Sequence, residues 1–240
     1  MNVQKIDLVC LHHAGGSGST FNTWKHIGEI NGVNVITPSM PGRAELYKET
    51  IIRSPKEAIQ WILEEIWGKV NGDFHLFGHS LGGQLAFHAV SAAVEYGLPL
   101  PTTVHISAAR PGVKNTHRPI DAQAVTDEEA LHLLSTLGGA TEKQLANPLW
   151  LQRALPLLRD DLTLSRRLTA CQGKYFPGHL NLYGGTEDTF VPVELLRGWG
   201  EIADSIHLKT YDGGHFYLHE TPTAAEDIIR TITTKPKIRL

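Results

Sequence analysis

Cysteine is scarce in this sequence: Cys10 and Cys171 are the only two, they lie far apart, and no Cys-x-x-Cys occurs. A disulfide framework and a cysteine-based zinc site are both excluded, and the two thiols read as core residues of a protein in a reducing compartment. Neither charge sign dominates. The 22 Lys and Arg stand against 25 Asp and Glu, a formal net charge of −3, so nucleic acid is not expected as a partner. The opening residues MNVQKIDLVC have no apolar core behind a basic head; no signal peptide is expected, and a cytoplasmic location is. The longest uncharged run, Phe74 to Val94, is long enough to cross a bilayer, but it holds three histidines and three glycines, which argues against a membrane span. Repeats and low-complexity linkers are missing too. With 240 residues, the chain fits one α/β domain with a full core, residues 1–240, and is expected to be a monomer.

What is present begins with LHHAGGSGSTFNTW, Leu11 to Trp24, three glycines within four residues after an apolar stretch. A phosphate loop of the Walker type needs a lysine after its glycines, and none follows. The dinucleotide pattern Gly-x-Gly-x-x-Gly fails as well, because Phe21 stands where its last glycine belongs. Two readings stay open at this point: a plain strand-to-helix turn, or a loop whose backbone amides face some other anion.

Six β-rich runs, IDLVCL, VNVITPS, DFHLFGH, TVHISAA, HLNLYGG and IHLKTYD, are separated by segments of helical length. This alternation predicts a mostly parallel central sheet flanked by helices. SPKEAIQWILEEIWGKV carries a helix start at Ser54, Pro55 and Glu57, followed by an apolar stripe at Ile59, Ile62, Leu63 and Ile66. A second helix is expected after Ser80, ending at Gly97. Between Arg110 and Pro177 the alternation fails: no strand is expected there, and TDEEALHLLSTLGG and PLWLQRALPLLRDDLTLSRRLTA read as helices. An insertion of this length, 110–177, is read as a helical lid over the carboxyl edge of the sheet.

FGHSLGG places Gly78, Ser80 and Gly82 as Gly-x-Ser-x-Gly between a strand and a helix, the setting of a nucleophile elbow. A serine hydroxyl needs a base, and the base needs an orienting acid. Of thirteen histidines, His75, His88 and His105 fall inside strands or helices and read as packed residues, and His79 is expected to point away from Ser80. His215, in YDGGHFYL, follows the last strand on a loop. His219 lies four residues further, but no Glu stands between them as a His-Glu-x-x-His metal site requires; no metal is expected. LYGGTEDTFVP supplies Asp188 after the fifth strand, with Glu187 as its competitor. The oxyanion hole would combine the amide of Leu81 with one from the early glycine loop, Ala14 first and Gly15 second.

These segments together resemble the type II (editing) thioesterases of polyketide and nonribosomal peptide assembly lines, a group that includes the medium-chain acyl thioesterases of fatty acid synthesis. The resemblance rests on HHAGGSGSTFNTW, PSMPGRAEL, FGHSLGGQLAF, SAARPG, LPLLRDDL, LYGGTEDTFVP and GGHFYL, seven motifs in order along nearly the whole chain. One departure is His12, where a proline often precedes the loop. The resemblance implies an α/β-hydrolase fold with Ser80, Asp188 and His215 as triad and Ala14 and Leu81 as oxyanion donors. It also implies hydrolysis of acyl groups from the phosphopantetheine arm of acyl or peptidyl carrier proteins, with no cofactor of the enzyme's own. Competing expectations are an esterase of small oxygen esters and a non-catalytic binding protein that keeps the pocket. The segment 110–177 holds nine Lys and Arg against seven carboxylates, so some of Arg153, Arg159, Arg166 and Arg167 are expected to steer the docking of an acidic carrier.

Overall fold

The computed structural model describes residues 6–70, 73–112, 123–170 and 175–234. Its six strands are β1 (Ile6–Leu11), β2 (Val33–Ile36), β3 (Phe74–His79), β4 (Thr103–Ser107), β5 (Phe176–Gly185) and β6 (Ala203–Tyr211). They form one sheet in the order β2-β1-β3-β4-β5-β6, and every neighbouring pair is parallel. The helices are α1 (Asn22–Ile30), α2 (Pro55–Ile62), α3 (Leu81–Glu95), α4 (Asp127–Thr136), α5 (Glu142–Leu145), α6 (Pro148–Ala170), α7 (Val193–Arg197), α8 (Tyr217–Glu220) and α9 (Pro222–Thr234).

Because side chains alternate along a strand, each strand feeds two cores. Leu8 and Cys10 of β1 and Phe77 of β3 pack with Trp24 of α1 and Ile228 and Ile229 of α9. Val9, Leu76, Val104, Ile106 and Leu182 face the other way, onto Ile62 of α2, Leu85 and Ala89 of α3, and Leu164 and Leu168 of α6. Both faces are covered, which is why the strands read as continuous apolar runs. Helix α2 starts where Ser54 Oγ accepts the Glu57 N–H, with Pro55 at its first position, and a π-helical turn, Leu63–Trp67, extends it.

Strand order dictates where a ligand can sit. The chain leaves β1 for α1 on one face and leaves β3 for α3 on the other, so the loops diverge above these two neighbours and open a crevice at the carboxyl edge. The glycine loop after β1 and the turn at Ser80 flank it.

Within 110–177 the described residues form α4, α5 and α6, each of the first two started by a reciprocal cap, Thr126 with Glu129 and Thr141 with Gln144. The expected strand-free stretch ends two residues early. Phe176 already pairs with Ala203, and its N–H donates to Ile202 O at 2.7 Å. Pro177 and Gly178 hide this start from a reading of strand pattern, and a register shift between Phe176 and His179 accommodates them. Lys114, Arg118, Cys171, Lys174 and the terminal KPKIRL lie outside the described residues. Among the described residues no helix is long and apolar enough to cross a membrane.

Candidate active site

Ser80 has φ +55° and ψ −117°, a region that costs a non-glycine residue on the order of 1–3 kcal/mol and marks functional turns. Its N–H is tied to Ser107 O at 2.8 Å. The flanking glycines are required by contact. A Cβ on Gly78 would lie 2.1 Å from Gly82 O, and one on Gly82 would lie 2.1 Å from Leu11 O. The first turn of α3 thus packs directly on the end of β1, and the backbone can turn sharply only because no side chain intervenes.

Asp188 and His215 come from the loops that follow β5 and β6, and these loops are interleaved. Thr186 N–H donates to Tyr211 O at 2.8 Å and Glu187 N–H to Gly213 O at 2.9 Å. The Asp188 carboxylate is buried; its Oδ1 accepts the N–H groups of Phe190 and Val191, both at 2.9 Å. Its Oδ2 lies 2.8 Å from His215 Nδ1, and His215 Nε2 lies 3.0 Å from Ser80 Oγ. Burial pushes the Asp188 carboxyl up, but the hydrogen bond and charge of His215 and the two amides outweigh it and hold the group below the usual carboxylate range. An ionised Asp188 accepts the proton on Nδ1, so Nε2 turns its lone pair toward the Ser80 hydroxyl. Glu187, the sequence competitor, is exposed and points its carboxylate at neither residue. His215 has both ring nitrogens engaged, and His219 packs its ring on Phe216.

The glycine loop folds back at a turn closed by Gly16 N–H to His13 O, 3.0 Å, with Gly15 at φ +74°. Gly15 N–H is already committed, donating to Asp161 Oδ2 at 2.7 Å. That removes Gly15 as second choice for an oxyanion donor. The Ala14 and Leu81 amides donate to no other described group, and Ala14 and Ser80 line the same cavity. The loop thus leaves the Ala14 amide uncommitted beside the cavity that Ser80 lines, and no lysine follows its glycines.

That cavity encloses about 650 Å³ of empty space including its open mouth. Its floor is Ser80, His215 and Ala14. Leu133 and Leu134 of α4, Leu137 just beyond its end, Trp150, Ala154, Leu158 and Leu162 of α6, and the rings of Phe190 and Phe216 make most of the rest apolar, with His13 beside them. Phe190 also stands edge-on to the His215 ring at 5.2 Å. A nucleophile, base and acid in register beneath an apolar chamber suit acyl transfer to water.

The family model for the thioesterase domain matches residues 6–235. The chain belongs to this family. It is a thioesterase, a hydrolase of thioester bonds on an α/β-hydrolase fold. It is 25% identical over 219 residues to the gramicidin S biosynthesis protein GrsT of Aneurinibacillus migulanus, covering 90% of this chain and 84% of that protein. Against the medium-chain S-acyl fatty acid synthase thioesterase of Homo sapiens it is 24% identical, with 95% and 86% covered. The structure of the type II thioesterase BorB from the borrelidin biosynthetic cluster superposes with a TM-score of 0.78 at 26% identity, covering 95% and 92%.

Two histidines near the centre of this thioesterase make contacts that the sequence does not reveal. The His79 ring lies 5.3 Å from the His215 ring, and its Nδ1 is 2.8 Å from Ser107 Oγ, which in turn is 2.7 Å from Tyr217 Oη. Burial, with His215 and His13 nearby, drives its pKa well below the usual value and keeps it neutral. His12 receives the Met40 N–H on Nε2 at 3.2 Å and therefore donates from Nδ1 to His13 O at 2.8 Å, tying the glycine loop to the loop after β2. Two of the four arginines on α6 are ion-paired. Arg159 pairs with Asp127 and Arg166 with Glu129, both within the helical segment, and Arg167 donates to Arg53 O. Only Arg153 of the four is exposed without an ion pair among the described residues.

Proposed function

We propose that this thioesterase hydrolyses acyl groups from the phosphopantetheine arm of acyl or peptidyl carrier proteins, in the editing of polyketide or nonribosomal peptide assembly, through an acyl-enzyme on Ser80. The observation that carries the reading is the aligned relay Ser80 Oγ, His215 Nε2 and Nδ1, Asp188 Oδ2 at the floor of the apolar cavity. Ser80 Oγ attacks the thioester carbonyl carbon while its proton passes to His215 Nε2, and Asp188 stabilises the imidazolium. Ala14 N–H and Leu81 N–H receive the oxyanion. The C–S bond breaks and the thiol leaves with the proton from Nε2. Water then gives a proton to Nε2, attacks the acyl-Ser80 ester, and the free acid departs as Ser80 regains its hydrogen.

Each step uses protein groups and water, and the reading assigns no cofactor. We read the chain as one domain, 1–240, monomeric and cytoplasmic, with 110–177 as the lid: α4 and α6 supply most of the apolar wall, so an acyl chain must pass beneath them. Support for the carrier as partner is the likeness to GrsT and BorB. The test compares one acyl group on carrier domains, coenzyme A and a nitrophenyl ester, with wild type and Ser80→Ala. Expected are the highest kcat/KM for the carrier thioester and a loss of about 10⁴-fold or more in the variant. A variant that keeps more than about a tenth of the activity, only ~1.4 kcal/mol of barrier, removes Ser80 as nucleophile. Preference for the oxygen ester points instead to a carboxylesterase.

A further inference from the structure

Two motifs that lie far apart in the sequence, PGRAEL after β2 and LPLLRDDL in α6, meet in the structure beneath the glycine loop. Arg43 Nη1 and Nη2 donate to Asp161 Oδ2 and Oδ1 at 2.6 and 2.9 Å, a two-point ion pair. The Arg43 side chain is 3% exposed and that of Asp161 is not exposed at all. The pair grips the loop at two places: Asp161 Oδ2 accepts Gly15 N–H at 2.7 Å, and Arg43 Nη1 donates to Gly16 O at 3.2 Å. Leu158, one turn before Asp161 on α6, is the side chain nearest Gly15.

We infer that Arg43 and Asp161 are positioning residues for the oxyanion hole, holding the peptide of Gly15 so that the neighbouring Ala14 N–H is aimed into the cavity. The inference rests on the proposed role of Ala14 and Ser80. Consecutive glycines have little backbone preference of their own, so Gly15 and Gly16 take the orientation that outside contacts impose. The strongest such contact here is charge-assisted and geometrically forked. Stability alone does not account for the pair. Exchanging a buried ion pair for apolar residues of similar volume is often neutral or favourable, because two charges have been desolvated, and Arg43 Nε has no partner among the described residues. What apolar replacements cannot supply is the acceptor for Gly15 N–H. Since Asp161 shares α6 with Ala154, Leu158 and Leu162 of the cavity wall, the pair also couples the wall of the acyl chamber to the oxyanion loop.

The test is the double variant Arg43→Met/Asp161→Leu, which removes both charges together, with active sites counted by fluorophosphonate labelling of Ser80. Expected per labelled site is a 10- to 100-fold fall in kcat with KM within threefold, somewhat less than complete loss of an oxyanion donor causes. A trifluoromethyl ketone analogue of the acyl substrate, whose adduct with Ser80 carries the oxyanion, should lose affinity by the same factor as kcat/KM. A role in folding alone would lower the number of labelled sites and the melting temperature but leave both of those readouts near wild type, and that result overturns the inference. If the double variant does not fold, Asp161→Asn, of equal volume with a weaker neutral acceptor, is read the same way. Wild-type enzyme that is not labelled at Ser80 would instead overturn the mechanism on which the inference rests.

Discussion

Replacing Asp188 by Asn exchanges one carboxylate oxygen for an NH₂ group and tests the relay at its root. In the wild type one carboxylate oxygen takes two amide protons, from Phe190 and Val191, and the other takes the His215 Nδ1 proton. An asparagine can satisfy only one of these demands. If its oxygen stays on the two amides, its NH₂ faces His215 and forces Nδ1 to accept. The ring proton then sits on Nε2, and His215 can no longer take a proton from Ser80. If the amide flips, the histidine tautomer is right but two buried N–H groups face an NH₂, each at a cost of about 1–3 kcal/mol. The productive arrangement is thus disfavoured by roughly 2–6 kcal/mol, and loss of the imidazolium's counter-charge adds to this. We expect kcat to fall by about 10³- to 10⁴-fold, equivalent to about 4–5.5 kcal/mol, with KM within about threefold and the fold intact by melting temperature. Thiol release from an acyl thioester, followed with a chromogenic disulfide, measures it, with Glu187→Gln as control. Activity above about a tenth of wild type in Asp188→Asn, or an equal loss in Glu187→Gln, refutes the assignment.

Gly82→Ala should abolish activity and destabilise the protein by several kcal/mol, because its Cβ would meet Leu11 O at 2.1 Å and His12 O at 2.8 Å and backbone on both sides must move; a well-folded, active variant would show that the elbow is not packed on β1 as described. Stability should fall as pH drops below 6.5. Burial lowers the pKa of His12 and of His75 to about 4, that of His13 to about 3, and that of His79 well below its usual value. Between 6.5 and about 4 the unfolded chain therefore binds protons that the folded one does not, and stability rises with pH by up to about 1.4 kcal/mol per histidine per pH unit. Asp188, whose pKa is lowered, contributes stability above the unfolded carboxylate value that is lost only at still lower pH. Melting temperatures from pH 7.5 to 4.5 test this: a flat profile down to pH 5 would contradict neutral burial of these rings, and His75→Gln should reduce the slope by about a quarter, one histidine of four.

The parts of the molecule that were legible in the sequence are those where one local rule decides the outcome. Strands buried on both faces read as apolar runs, α6 was bounded to the residue by its polar and apolar pattern, and the elbow showed itself because Gly78 and Gly82 have no substitute at 2.1 Å from backbone oxygens. The meeting of Asp188 and His215 with Ser80 is legible for a related reason: parallel strands deliver the residues that follow them to one edge, so order along the chain becomes proximity in space. What remained hidden depends on pairs with no local signature. Nothing near Arg43 says that its partner lies 118 residues away on α6, and nothing near Gly15 says that its amide is spent on Asp161 and unavailable for catalysis. That the His79 ring borders His215 has no local sign either, because alternation along β3 fixes only which face of the sheet a side chain leaves from. The loops after β6 then bring His215 and Phe216 around to that same ring. The arginines of α6 show the same limit on the surface. Their net charge suggested a partner, whereas Asp127 and Glu129 on the adjacent α4 already face Arg159 and Arg166, and a charge count over a segment cannot separate charges that pair within it from those that face solvent.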